Sequence, residues 1–210
     1  MTEFQSKQNN RWVSIWVKPR ATLKSILDSD PLRTIIPLSI VSGVVSAISW
    51  LGFLWTRFPY QKEYRLALFA LALLIVGGLF GLLNLYLGGW LYRITGSWLG
   101  GKGEYRAVKC AVGWSAYPFI MSGILGILSY IFYHYPLLSL LFGVLNLIVL
   151  IWAFILFLHL IGEAHQFSAW KALVAILIGA VLIFIAAILI SLLLPLLKPL
   201  FSSSLKLFLL

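Results

Sequence analysis

His159, Glu163 and His165 are the one group in this chain with metal-ligand chemistry. Their spacing differs from H-E-x-x-H, in which two histidines four residues apart share a helix face. Here His159 and Glu163 share a face, and His165 is rotated well away from it. Hydrated His and Glu at the edge of a membrane need no special cause, so no metal and no cofactor is expected. Gly100-Gly101-Lys102-Gly103 has the composition of a phosphate loop. It lacks both the G-x-x-x-x-G-K-[ST] frame and a preceding strand, so it is not read as one.

Gly113-Trp114-Ser115-Ala116 resembles the G-x-S-x of rhomboid intramembrane proteases over four residues. That chemistry needs a histidine within hydrogen-bond reach of the serine. The last apolar run holds none, which leaves His159 as the sole base on offer. An intramembrane hydrolase is therefore the least favoured reading, and the chain is expected not to be an enzyme.

The elements that would position these residues are five apolar runs, at 34–56, 66–92, 110–133, 137–160 and 173–197. Each has at least 23 residues, and about 20 suffice to cross a bilayer. The chain is 61% hydrophobic and 10% charged, with a mean hydropathy of +0.99. Soluble domains are roughly 45–50% apolar and 25% charged. The expected fold is thus all-α, a polytopic bundle of five transmembrane helices at 34–200. Before it, residues 1–33 should form a cytoplasmic polar tail and an interfacial amphipathic segment. After it, residues 201–210 should form a short apolar tail at the outer face, too short for a sixth span. The first run is too long for a signal h-region and lacks a small-residue cleavage pattern, so it is expected to remain as an anchor. Cys110 is the single cysteine, which excludes an internal disulfide and a multi-thiolate metal site.

The net charge of +10 comes from basic residues beside apolar runs. That placement points to topology and anionic lipid headgroups rather than nucleic acid. An N-inside orientation puts eleven Lys and Arg on the cytoplasmic side and five outside, as the positive-inside rule prefers. The C-terminus then lies outside, in a cell membrane. Arg57, Lys62 and Arg65, in the first outer turn, run against the rule. Trp50, Trp55, Tyr60 and Tyr64 flank that turn, Tyr130, Tyr133 and Tyr135 mark the second, and Trp90, Tyr92, Trp98 and Trp170 lie near the inner face. Trp and Tyr prefer that interfacial depth. The short connection at 134–136 demands a tight hairpin between spans three and four. Residues 1–10 read as polar and disordered. In 11–29, Trp12, Ile15 and Trp16 share one helical face and Leu23, Ile26 and Leu27 another, with Pro19 between the two pieces. Such a segment suits the headgroup layer.

Inside the spans the polar residues are small and uncharged. Ser39, Ser42, Ser46 and Ser49 recur at steps of three and four, so they line one helix face beside Gly43. Gly77 and Gly81 form a GxxxG on a face shared with Asn84, and Ser115, Pro118 and Ser122 line the third span. Asn146 adds an amide to the fourth. Small faces let helices approach closely and hydrogen-bond across the gap, and they permit a homo-oligomer. The alternative is a polar path for a small neutral solute, with Asn84 and Asn146 as its contacts, in a transporter or channel. No Asp or Glu lies within a span, which disfavours ion-coupled transport. Pro118 removes a backbone hydrogen bond and should kink span three. Ser115 or Ser122 is expected to satisfy the freed group.

Three pieces of the chain are similar to the Yip domain family, the Ypt/Rab-interacting membrane proteins. They are W-x-x-I-W-x-K-P-R at 12–20, WLGGKGEYRAVKCAVGWSAYP at 98–118, and G-x-x-H-x-x-S-x-W-K-A-L at 162–173. The resemblance is greatest to the family's bacterial branch, and the order of five spans with the N-terminus inside matches as well. It implies a five-helix integral membrane protein, with relatives that bind prenylated GTPases and Yip-family partners in vesicle traffic. The D-L-x-G-P motif and the long acidic N-terminal region of the eukaryotic branch are absent here, so GTPase-binding residues do not carry over. The expected role is a non-enzymatic membrane scaffold or adaptor. Its cytoplasmic face would meet a protein partner through Arg93, Lys102, Glu104, Arg106 and Lys109.

Overall fold

The computed structural model describes residues 11–28, 32–55 and 63–208, with side chains over 11–28, 33–49, 70–193 and 195. The expectations for residues 1–10, for Trp50, Trp55 and the first outer turn, and for Leu209 and Leu210 lie outside the described side chains.

Each apolar run is helical, because a backbone in hydrocarbon must satisfy its own polar groups. The helices in chain order are α1 (11–17), α2 (Pro19–Leu27), α3 (Leu32–Trp55), α4 (Glu63–Leu83), α5 (Gly89–Trp98), α6 (Tyr105–Ile131), α7 (Pro136–Ala164) and α8 (Ala169–Phe208). A π-helical turn, Asn84–Gly88, joins α4 to α5 within one continuous span. Four spans are long and apolar enough to cross a membrane: Ala70–Trp98, Tyr105–Ile131, Pro136–Ala164 and Ala169–Leu193. The 24-residue α3 adds an apolar helix to the bundle, its described apolar stretch, Arg33–Ser49, being shorter than those four. Leucines and isoleucines along α7 and α8 stay exposed, Leu140, Ile148, Ile183 and Leu192 among them. That is the surface a bilayer covers. No strand occurs among the described residues, and the chain is an all-α, multi-pass membrane protein.

The second span runs past its expected end at 92 to Trp98, and the fifth continues as helix through Phe208. Residues 201–208 are therefore continuous with α8. The hairpin between α6 and α7 is as tight as its short connection demands. It is stapled by Ser129 Oγ donating to the Ser139 carbonyl at 2.9 Å and Ser139 Oγ donating to the Ser129 carbonyl at 3.0 Å.

The chain breaks at Lys18 between α1 and α2, where Pro19 opens α2 in a position that needs no N–H partner. The apolar faces of these two short helices meet α6 and α7. Trp12 lies 4.9 Å from both Trp114 and Tyr117, ring centre to ring centre. Ile15, Leu23 and Ile26 are fully buried in the cluster that also holds Val108, Leu160 and Ile161. Outside that cluster, Glu163 forms ion pairs with Lys24 at 3.3 Å and Arg20 at 3.8 Å.

Pro118 is buried inside α6, but neither serine serves the carbonyl it frees. Ser115 Oγ donates to the Val112 carbonyl at 2.7 Å, and Ser122 Oγ crosses to Asn146 Oδ1 on α7. An amide acceptor on a neighbouring span outcompetes a local carbonyl for Ser122.

Candidate functional site

Two features stand out against this frame: a charged platform at the loop end of the bundle, and a polar cavity between the spans.

The platform begins with two helix ends. In α5, Leu99 caps the helix and Gly100 follows in the left-handed region at φ 81°. The Gly101 N–H returns to the Gly96 carbonyl at 2.9 Å and the Gly100 N–H to the Ser97 carbonyl at 3.0 Å. This is a Schellman stop, and glycine takes its positive φ without a Cβ penalty. In α7, His165 caps the helix and Gln166 takes φ 58°. The Phe167 N–H bonds the Gly162 carbonyl at 2.9 Å and the Gln166 N–H bonds the Glu163 carbonyl at 3.1 Å. The same motif thus ends both helices, and His165 clamps one onto the other.

His165 is 1% exposed. Its Nδ1 accepts the Gly103 N–H at 3.3 Å, which leaves Nε2 as the proton-bearing nitrogen, 3.1 Å from the Tyr92 carbonyl. Its own carbonyl accepts the Lys102 N–H at 3.1 Å, and its ring stacks on Phe167 at 5.1 Å. Gly96, Gly101 and Gly103 make room for the imidazole. A Cβ on Gly96 would overlap Nε2, and one on Gly103 would lie 2.7 Å from Nδ1. Burial pushes the His165 pKa below its usual value, with the Tyr92 contact opposing. The neutral ring is the form this geometry uses.

This clamp fixes the segment that carries the charged residues singled out from sequence. Arg93 in the middle of α5, Lys102 and Glu104 on the loop, and Arg106 in the first turn of α6 are exposed. None of the four makes an ion pair among the described residues. Lys109 differs: it is half-buried, with Nζ 4.9 Å from the Tyr86 ring centre and 5.2 Å from that of Tyr105. Its ammonium already has aromatic faces to sit on.

His159, Glu163 and His165 go three separate ways. His159 Nδ1 bonds the Ile155 carbonyl at 2.8 Å, Glu163 takes Arg20 and Lys24, and His165 holds the clamp. No group of three such residues is placed to hold a metal ion among the described residues. Ser115 and His159 each bond a carbonyl of their own helix rather than each other.

The cavity has a volume of about 650 Å³ and lies between α3, the second span, α6 and α7. Of the residues expected to pack helices or line a path, Ser39, Ser46, Gly81, Asn84, Ser115 and Asn146 line it. Gly77 lies instead at the crossing of α3 and α4, where an added Cβ would be 2.8 Å from that of Ala47. Pro118 is buried within α6 away from the cavity wall. The π-helical turn begins at Asn84, a local widening that sequence periodicity does not announce.

A family model described as the Yip1 domain matches residues 13–192. No curated protein matches the chain, and no solved structure does.

Proposed function

The chain belongs to the Yip1 domain family, and from that premise we propose that it is a non-enzymatic membrane scaffold or adaptor that captures a protein on its loop face. The single observation that carries this reading is the clamped platform. Arg93, Lys102, Glu104 and Arg106 are exposed and free of ion pairs among the described residues, on a segment tied down by His165. Ordering a flexible loop at the moment of binding costs affinity, and a loop already held by its own fold avoids that cost. Three guanidinium or ammonium groups with one carboxylate suit an acidic partner surface with a basic spot in register.

The proposed setting is a cell membrane, with the N-terminus and the platform on the cytoplasmic side and the C-terminus outside. Basic residues on that side would also meet anionic headgroups. The small helix faces leave room for self-association, and nucleic acid is not a proposed partner.

Neutralising Arg93, Lys102 and Arg106 together with glutamine should lower recovery of the partner in a pull-down from native membranes by at least tenfold at low salt. Wild-type recovery should fall as salt rises, because exposed charges are screened. Lys109 is left intact in this variant, since its side chain packs on Tyr86 and Tyr105. Unchanged capture by the triple variant, with the protein still folded, would refute the platform.

A further inference from the structure

The cavity has polar groups that the protein itself does not use. Some of its lining is satisfied: Ser49 Oγ donates to the Val45 carbonyl at 3.0 Å, Ser115 to Val112, and Ser122 to Asn146. The hydroxyls of Ser39, Ser42 and Ser46 and the Asn84 amide, by contrast, make no hydrogen bond among the described residues, although all four residues line the cavity. Ser39 is only 4% exposed. A serine in a membrane helix ordinarily returns its proton to a carbonyl of the preceding turn, as Ser49 does here. These hydroxyls and the Asn84 amide instead face the open cavity, where water or a ligand is the partner the chain itself does not supply.

The lining also sets the chemistry. It contains no Asp, Glu, Lys, Arg or His, so a ligand with a formal charge would enter uncompensated. The serines run along one face of α3 from Ser39 to Ser49, a rise of about 15 Å at 1.5 Å per residue. Each hydroxyl both donates and accepts, and Asn84 adds an amide from across the cavity. Phe80, Phe119, Phe157 and Leu150 give the remaining wall an apolar surface. Asn84 and Ser46 remain exposed, so the cavity opens at the bundle surface. Its volume falls within the range of small-molecule sites, about 300–1,000 Å³.

We propose that this cavity is a binding site for an uncharged, hydroxyl-rich ligand group, held by the Ser39, Ser42 and Ser46 hydroxyls and the Asn84 amide within the membrane. The inference rests on the cavity alone and stands or falls separately from the adaptor reading. Such a group can be the head of a neutral lipid or a free polyol.

The full chain in lipid nanodiscs provides the test. Thermal unfolding is followed with dioleoylglycerol added to the bilayer, with glucose added at millimolar concentration to the buffer, and with phosphatidylglycerol as a charged control lipid. One of the two neutral probes should raise Tm by several degrees and saturate, and phosphatidylglycerol should not reproduce the effect. A response to dioleoylglycerol assigns the lipid source, and a response to glucose assigns the free polyol. Ser42→Leu, which fills the cavity, should abolish the response. Should that variant fail to fold, the double variant Ser42→Ala/Ser46→Ala removes hydroxyls without adding bulk and should weaken apparent affinity at least tenfold. No shift with either neutral probe, or an equal shift in the double variant, would overturn the proposal.

Discussion

Replacing Gly81 by leucine is expected to drive α3 and α4 apart and to cost about 3 kcal/mol, at the upper end of overpacking penalties. A Cβ on Gly81 would overlap the Ser39 carbonyl oxygen, lie 2.8 Å from the Ser39 carbonyl carbon and come within 3.2 Å of the Gly43 Cα. All three are backbone atoms, so no side-chain rotation relieves the clash. Gly43 meets the same helix from the other side, where its Cβ would be 2.6 Å from the Gly81 nitrogen. The expected loss in Tm is roughly 6–12 °C for a chain of this size, with broadening of the monodisperse peak in detergent. Gly78→Ala is the matched control. Its Cβ would lie 3.5 Å from Ile40 Cγ2, an ordinary contact, so Tm should hardly move.

Acidification is expected to release the loop of Gly100–Gly103, because His165 is clamped as the neutral ring. Burial lowers its pKa in the folded protein from an unperturbed 6.5. At pH above 6.5 both the docked and the released form are neutral, and the clamp is at full strength. As pH falls through that value the released form takes up a proton that the docked form resists, so docking is lost progressively until the folded pKa is reached. The loss approaches a factor of about ten per pH unit for one proton. Hydrogen-exchange protection at the Lys102 and Gly103 amides should therefore fall between pH 7.5 and 5.5. In His165→Gln that dependence should disappear. Protection that is flat with pH in the wild type would show that the imidazole does not hold the loop.

Much of this architecture was legible because it is written locally. Five apolar runs, a three-residue connection and a proline between two short amphipathic faces each specify an element without reference to the rest of the chain. The serine step along α3 likewise told which residues share a face, and Ser39 and Ser46 do line the cavity with Asn84 and Asn146. The clamp was not legible as a unit. Gly103 and His165 are 62 residues apart, and no periodicity links them. The sequence offered only separate signals, a glycine-rich loop and a histidine just past a span, and both lay in pieces that resemble one family. Their glycines proved to be space for an imidazole rather than for a phosphate. The π-helical turn at Asn84 had no signal either, since hydropathy does not register one extra residue in a turn. Lys109 was grouped with the candidate partner-binding residues because nothing in the sequence places it over Tyr86, which lies on another span.

In the proposed function the clamped loop meets a protein. That contact is tested most directly by photo-crosslinkers placed at Lys102 and Glu104 of the full chain in native membranes, with the adducts identified by mass spectrometry. Buried His165 is unsuited to carry one. One recurrent protein adduct at both positions, lost when Arg93, Lys102 and Arg106 are neutralised or when His165→Gln releases the loop, is the predicted result. Adducts with lipid or with further copies of the chain alone would contradict the adaptor reading.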